Sequence, residues 1–207
     1  MAAKKRKADV RSKTTVFKGR YKIDEYVFDF DRCAGKGRLT DVVRLVFERG
    51  DSAAALIHDI DRDVIVLAEQ FRIATQEKGP GYIVEAIAGS VEDDEDPEAC
   101  IRREMMEEVG YRAGDLTFVS NGYVSPGSSS ERIFLYYAPV RTKDLVDPKA
   151  SGLAAEKEDV RRVEFTREAF LAKIDKAGFT DAKVMQLGFW LKAQPKQGKP
   201  KKRASKS

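Results

Sequence analysis

The stretch Gly89–Tyr111, GSVEDDEDPEACIRREMMEEVGY, decides how the rest of the chain is read, because nine of its 23 side chains are acidic. Its second half carries the marks of one helix: Asp96 to cap it, Pro97 at its first position and Gly110 just past its end. At about 100° per residue, Ile101, Met105 and Val109 fall on one apolar stripe. Glu104 and Glu108 fall on the adjacent stripe, one turn apart, with Glu107 beside them. Like charges so placed repel by about a few tenths of a kcal/mol per pair. Carboxylates at the margin of a core, rather than on its solvent side, need a positive partner. Arg103 reaches Glu107 at i,i+4 and answers for one of them. For the others, hard oxygen donors with no His among them point to Mg²⁺ or Mn²⁺. The run Glu92–Glu95 reads as solvated, with Glu95 tying the loop to the helix.

The chain around this segment has 207 residues, enough for one domain of ordinary size and a small appendage. With 42% apolar residues it can bury a core, and no run approaches the ~18 apolar residues of a membrane span. The start, MAAKKRKADVRSK, has charge but no apolar segment behind it, so it is not read as a secretory signal. One His and two Cys exclude a structural zinc site, which takes about four N or S ligands. Cys33 and Cys100 read as reduced thiols of a cytoplasmic protein, Cys100 in the core.

The formal charge of +4 hides an uneven distribution. Residues 1–13 carry +5 and residues 192–207 carry +7, which leaves −8 for the body between them. An acidic body with basic ends argues against a nucleic-acid-binding domain. Both ends lack apolar periodicity, so residues 1–13 and 194–207 are expected to be disordered.

Along the chain, TVFKGRYKIDEYVFDFD from Thr15 reads as a strand pair, CAGKGR as a turn, and LTDVVRLVFERG as a strand ending at Gly50. Residues 14–50 thus form a small N-terminal β domain. SAAALIHD and DVIVLAEQFRIA flank the turn IDRD as a hairpin. His58 reads as a turn residue. YIVEAIAG reads as one short strand leading into the acidic segment. DLTFVSNGYVS and ERIFLYYAPV are strands joined by PGSSS. Residues 142–159 are loop-like, VRRVEF is a strand, and REAFLAKIDKAG and DAKVMQLGFWLKA are helices, the second with Val184, Leu187, Gly188 and Leu191 on one face. Few helices among many strands imply an α/β fold.

Gly89, Glu95, Arg103-Glu104, Met105, Glu107-Glu108, Gly110 and an apolar Tyr111 fall at the spacings of the Nudix box, which this segment closely resembles. Tyr111 is a mild departure from the usual aliphatic residue. Over roughly residues 38–193, VLAEQFRIAT, IVEAIAGSVED, YVSPGSSSER and AAEKEDVRRVEF resemble the ADP-ribose and GDP-mannose pyrophosphatase branch. The acidic segment and GFTDAKV lean toward GDP-mannose, SSSER toward ADP-ribose. Ser128 replaces the second Gly of the family's SPGG, a loop then less free to adopt positive φ.

The resemblance implies an α/β/α sandwich on a mixed sheet, a catalytic domain over residues 51–193, and a homodimer that exchanges the N-terminal β domain. It implies Mg²⁺-dependent hydrolysis of a nucleoside diphosphate sugar. Carried over by motif, Glu104, Glu108 and the Ala88 carbonyl are metal ligands, and Glu107 is a ligand or support. Glu156 and Glu158 supply the general base and a further ligand. Arg72, Glu85 and Glu131 contact substrate, with Arg44 and Arg49 offered by the partner subunit. Plain readings stand beside these: Arg72 with Glu85 as a structural ion pair, and Glu156 and Glu158 as solvated loop acids. Two rival functions are a catalytically idle nucleotide- or nucleic-acid-binding module and a hydrolase of dinucleoside polyphosphates or RNA ends. The intact box opposes the first, and the long N-terminal β piece opposes the second.

Overall fold

The computed structural model describes residues 6–195. β1 (Ala8–Lys18), β2 (Lys22–Asp31) and β3 (Arg38–Glu48) form an antiparallel three-stranded sheet. β1 begins at Ala8, so residues 8–13, expected to be disordered, are strand: Ala8 pairs with Phe30 and Lys13 with Tyr26. The basic residues that suggested a solvated tail have acidic partners across the sheet. Arg11 meets Asp29 at 2.6 Å, and Lys13 meets the fully buried Asp24 at 3.0 Å. Cross-strand pairs of opposite charge favour the ladder over a free arm. The basic C-terminal tail lies, from residue 196 on, outside the described residues.

The other strands are β4 (Ser52–Asp59), β5 (Val64–Phe71), β6 (Tyr82–Glu85), β7 (Ile87–Ser90), β8 (Thr117–Tyr123), β9 (Arg132–Val140) and β10 (Arg161–Thr166). They form one sheet in the order β10-β5-β4-β9-β8, with β6 on β5 and β7 on β4. The helices are α1 (Pro97–Val109), α2 (Arg167–Asp175) and α3 (Ala182–Ala193). This is the α/β class expected, with a mixed sheet and a small all-β piece before it. The described residues divide into two compact units, one of residues 6–54, 88–101 and 120–135, the other of residues 55–87, 102–119 and 136–195.

Every residue of β4 is buried, as its unbroken SAAALI run requires of a strand covered on both faces. The hairpin to β5 is closed by Asp59, whose carboxylate accepts from the amides of Asp61 and Arg62. Here one expectation fails: His58 is a strand residue, not a turn residue. It is 6% exposed, with Nδ1 2.7 Å from the Tyr137 hydroxyl and Nε2 3.0 Å from Asp63. Burial lowers its pKa.

The single strand expected at YIVEAIAG is two. The ladder breaks at Ala86, whose amide donates at 3.0 Å to the Asp181 carboxylate at the start of α3. In the same unit, α2 packs on β10 and β5 and against α3. Val184, Leu187, Gly188 and Leu191 form the buried face of α3.

Candidate active site

α1 starts as its sequence dictates: the Asp96 carboxylate accepts from the Glu98 amide at 2.8 Å. In the loop before it, Glu95 accepts from the Glu92 amide at 3.0 Å, while Glu92, Asp93 and Asp94 are exposed. The helix ends at Gly110, whose φ of +73° turns the chain out of it. A Cβ there would stand 1.7 Å from the Asp147 carbonyl oxygen, so no other residue fits without moving the backbone. The following Tyr111 is fully buried, and its hydroxyl accepts from Arg62 at 2.9 Å. Arg62 also reaches Asp59 and Glu164. That partner accounts for an aromatic hydroxyl where an aliphatic residue is usual.

Cys100, Ile101, Met105 and Val109 are fully buried, and Glu104 and Glu108 occupy the neighbouring stripe. Glu104 is 9% exposed and Glu108 only 2%. Burial raises the pKa of Glu104, against the pull of Arg103. Burial first, then the charges of Glu104, Glu158 and Glu85, push Glu108 up to about 8. Arg103 bridges Glu104 at 2.7 Å and Glu107 at 3.1 Å, one more contact than the i,i+4 spacing foretold.

Glu85, on β6, is buried and held from both sides. Arg72 Nε donates to one carboxylate oxygen at 2.7 Å, and Lys183 Nζ lies 3.5 Å from the other. The ion-pair reading of Arg72 and Glu85 therefore holds as geometry. Arg72 is half-exposed, and its charge acts favourably on Glu108.

The loop after residue 150 is tied to α1, with the Gly152 amide donating to the Glu107 carbonyl at 3.0 Å. Gly152 has φ +87°, and a Cβ would meet the Glu158 carboxylate at 2.9 Å. Glu158 folds back over it and accepts from the Leu153 amide at 3.1 Å. It is half-buried and raises the pKa of both Glu104 and Glu108. Glu156 is exposed, in the 3-10 turn Ala154–Glu156. Glu85, Glu104, Glu107, Glu108, Glu158 and Arg72 are thus gathered in one unit, with Glu156 on the outer turn of the same loop.

In the other unit, Ala88 sits on β7. Glu131 is engaged by Arg49 at 3.3 Å and by the Ser52 hydroxyl at 2.8 Å. Arg44 is exposed and donates to its neighbouring carbonyl, Val43. The Ser125–Ser130 loop is bound to the end of β3, Phe47 donating to the Ser128 carbonyl at 2.8 Å and Ser130 to that of Phe47 at 3.2 Å. Neither Gly127 nor Ser128 has a positive φ, so the replacement of the second glycine is accommodated without strain.

The donors suit a hard divalent cation. They are carboxylates, they are desolvated, and Glu108 Oε2 is buried with no hydrogen-bond partner. Among the described residues no three of them stand as a ready-made cage. Glu104 and Glu107 are turned to Arg103, and Glu158 to the Leu153 amide. Asp181 and Lys183 belong to this neighbourhood and were not foreseen. The sequence signals for them were the resemblance of GFTDAKV, which contains both, and a capping residue two positions before a lysine at the head of a helix.

A NUDIX domain model matches residues 48–187. Over 167 residues the chain is 34% identical to the GDP-mannose pyrophosphatase of Pectobacterium atrosepticum, covering 80% of this chain and 83% of that protein. It is 35% identical over 160 residues to the GDP-mannose pyrophosphatase of Cronobacter sakazakii, covering 76% and 82%. The protein of that name from Yersinia pestis is 31% identical over 169 residues, covering 81% and 82%. A buried, metal-suited glutamate pair on the helix of the box, within a match of this extent, means that the chain belongs to the Nudix family.

Proposed function

We propose that this Nudix enzyme is a pyrophosphohydrolase acting on nucleoside diphosphate sugars, with GDP-mannose the first candidate and ADP-ribose the second. The observation that carries the reading is the desolvated Glu104–Glu108 pair, with an unpartnered buried oxygen, beside Glu158 and Arg72. The names of the relatives favour GDP-mannose.

Glu104, Glu108, Glu158 and the Ala88 carbonyl would hold Mg²⁺ or Mn²⁺, with Glu107 as ligand or support. When bound, the ion supplies Lewis-acid neutralisation of the diphosphate charge. Arg72 presents the part of its fork not used by Glu85 to phosphate oxygens. Glu85 fixes that guanidinium and contributes to the substrate contacts. Glu156 takes the proton of the attacking water as the loop closes about Gly152, a familiar form of gating. Water adds to phosphorus, the P–O–P bond breaks, and a nucleoside monophosphate and a sugar phosphate leave. Arg49 and Glu131, with Arg44, complete the substrate contacts in a homodimer.

The dimer reading is supported by one face of the N-terminal sheet. Register places Phe17, Val43, Leu45 and Phe47 together there, and they are 57, 47, 54 and 38% exposed. Apolar exposure on that scale marks an association surface. Among the described residues no helix is long and apolar enough to cross a membrane. Cys33 and Cys100, which form no disulfide, suit a reducing cytoplasm.

The test is a panel of nucleotide sugars, dinucleoside polyphosphates and capped RNA with Mg²⁺, read as monophosphate release. Turnover restricted to the latter two would refute the reading. Glu156→Gln should lower kcat by ~10²–10⁴ at nearly constant KM, whereas Glu158→Gln should shift the Mg²⁺ dependence. Parent-like turnover in both would remove the loop from the mechanism. Light scattering that gives an active monomer would remove the dimer.

A further inference from the structure

We infer that Asp181 is a positioning residue of the site, acting through Lys183 and the Ala86 amide to fix Glu85. This rests on the proposed hydrolase reading for its kinetic part alone. As a helix cap, Asp181 needs only one carboxylate oxygen, and the Lys183 amide supplies that contact at 3.1 Å. The second oxygen, however, accepts from the amide of Ala86, 95 residues earlier in the chain, at 3.0 Å. The capping oxygen also accepts from Lys183 Nζ at 2.9 Å. Both oxygens of a side chain 6% exposed are therefore committed to groups that flank Glu85.

The consequences for Glu85 follow from the connectivity. Ala86 is the residue that separates β6 from β7, and it is 1% exposed. Without Asp181 its amide would be a buried donor outside either ladder, and the break would lose its reason to sit there. Glu85 is its immediate neighbour, and Ala88 lies two residues on. Lys183 Nζ is shared between Asp181 and Glu85, so the ammonium is held between two carboxylates rather than reaching freely from α3. Glu85 in turn holds Arg72. The chain of contacts runs from the cap of α3 to the guanidinium that would grip the substrate.

The variant that separates capping from positioning is Asp181→Asn. Asn caps a helix as well as Asp does. Its single side-chain oxygen serves Ala86 or Lys183 but not both, and its charge is gone. The expected result is a melting temperature lowered by a few degrees, since one buried backbone contact is lost, with KM for the nucleotide sugar raised about tenfold and kcat changed less. Lys183→Met, which keeps the cap and the Ala86 contact, should raise KM alike. The double variant should lose less than the sum of the two single effects, because both variants break the shared Lys183 arm. Additive losses, or parent-like kinetics in Asp181→Asn, would overturn the inference.

A crystal structure of Asp181→Asn tests the same inference without recourse to turnover. In it Lys183 Nζ and the Glu85 carboxylate should have shifted from their places in the parent, because the ammonium is no longer held between two carboxylates. An unmoved ammonium beside an unmoved Glu85 would overturn the inference whatever the kinetics. A parent inactive on every nucleotide sugar would refute the functional reading, and the positioning role would then stand or fall on that structure.

Discussion

Replacing Glu108 by Gln should stabilise the metal-free protein while removing its activity. Glu108 is 2% exposed, and its carboxyl titrates near 8 in the fold against 4.5 ordinarily. Its folded pKa is raised, so the group favours the fold most below pH 4.5, and that contribution is lost as pH climbs toward 8. At pH 7 the unfolded chain ionises this carboxyl and the folded chain resists doing so. Forgoing ionisation from 4.5 to 7 costs the fold about 3 kcal/mol at ~1.4 kcal/mol per pH unit. Gln carries no such cost and keeps the shape. For a chain of this size the gain corresponds to about 6–12 °C in melting temperature. The assay is thermal or urea unfolding in excess chelator at pH 5, 6, 7 and 8, parent beside variant. The gain should be small at pH 5 and grow with pH. Mg²⁺ should then raise the melting temperature of the parent and leave Glu108→Gln nearly unmoved. A variant no more stable than the parent at pH 7, or a gain that ignores pH, would refute the claim that desolvated charge is concentrated at this position.

Three further outcomes are expected. Gly110→Ala should cost at least about 2 kcal/mol by urea unfolding, since the positive φ disfavours Ala and its Cβ would overlap the Asp147 carbonyl. His58→Leu should cost about 1–3 kcal/mol at pH 7 by leaving the buried Tyr137 hydroxyl unpaired. His58 has a lowered pKa, so its neutral form supports the fold above about pH 6.5 and that support fades as pH falls; the parent should lose stability on acidification that His58→Leu does not lose. A chain starting at residue 14 should unfold or aggregate more readily than one starting at residue 8, because Asp24 is buried and loses Lys13; equal melting curves would show that β1 pairing before Lys13 is dispensable.

The sequence was most legible where one physical signal acted alone. Helical periodicity put Ile101, Met105 and Val109 inside and Glu104 and Glu108 beside them, and both glutamates proved buried. Cap chemistry fixed Asp96, Pro97 and Gly110 at the ends of α1. Legibility failed where a distant partner decided. Residues 8–13 look like a charged arm until Asp24 and Asp29 are set across from them. YIVEAIAG has nothing in it to announce a break at Ala86, because the cause sits at Asp181. His58 resembles a turn residue until Tyr137 and Asp63 bracket its ring. The loop acids were ambiguous in sequence for a like reason: the fold of Glu158 over Gly152 separates it from the exposed Glu156 two residues away.

The Arg103 fork across Glu104 and Glu107 makes the helix its own counter-ion. A divalent ion arriving at Glu104, as proposed, would not enter bare negative space; it would compete with a tethered guanidinium that cannot diffuse away. Metal binding at this helix would then be an exchange of cations rather than a simple addition. Its apparent strength would be a difference between two affinities, that of the ion and that of the guanidinium for the same buried carboxylate.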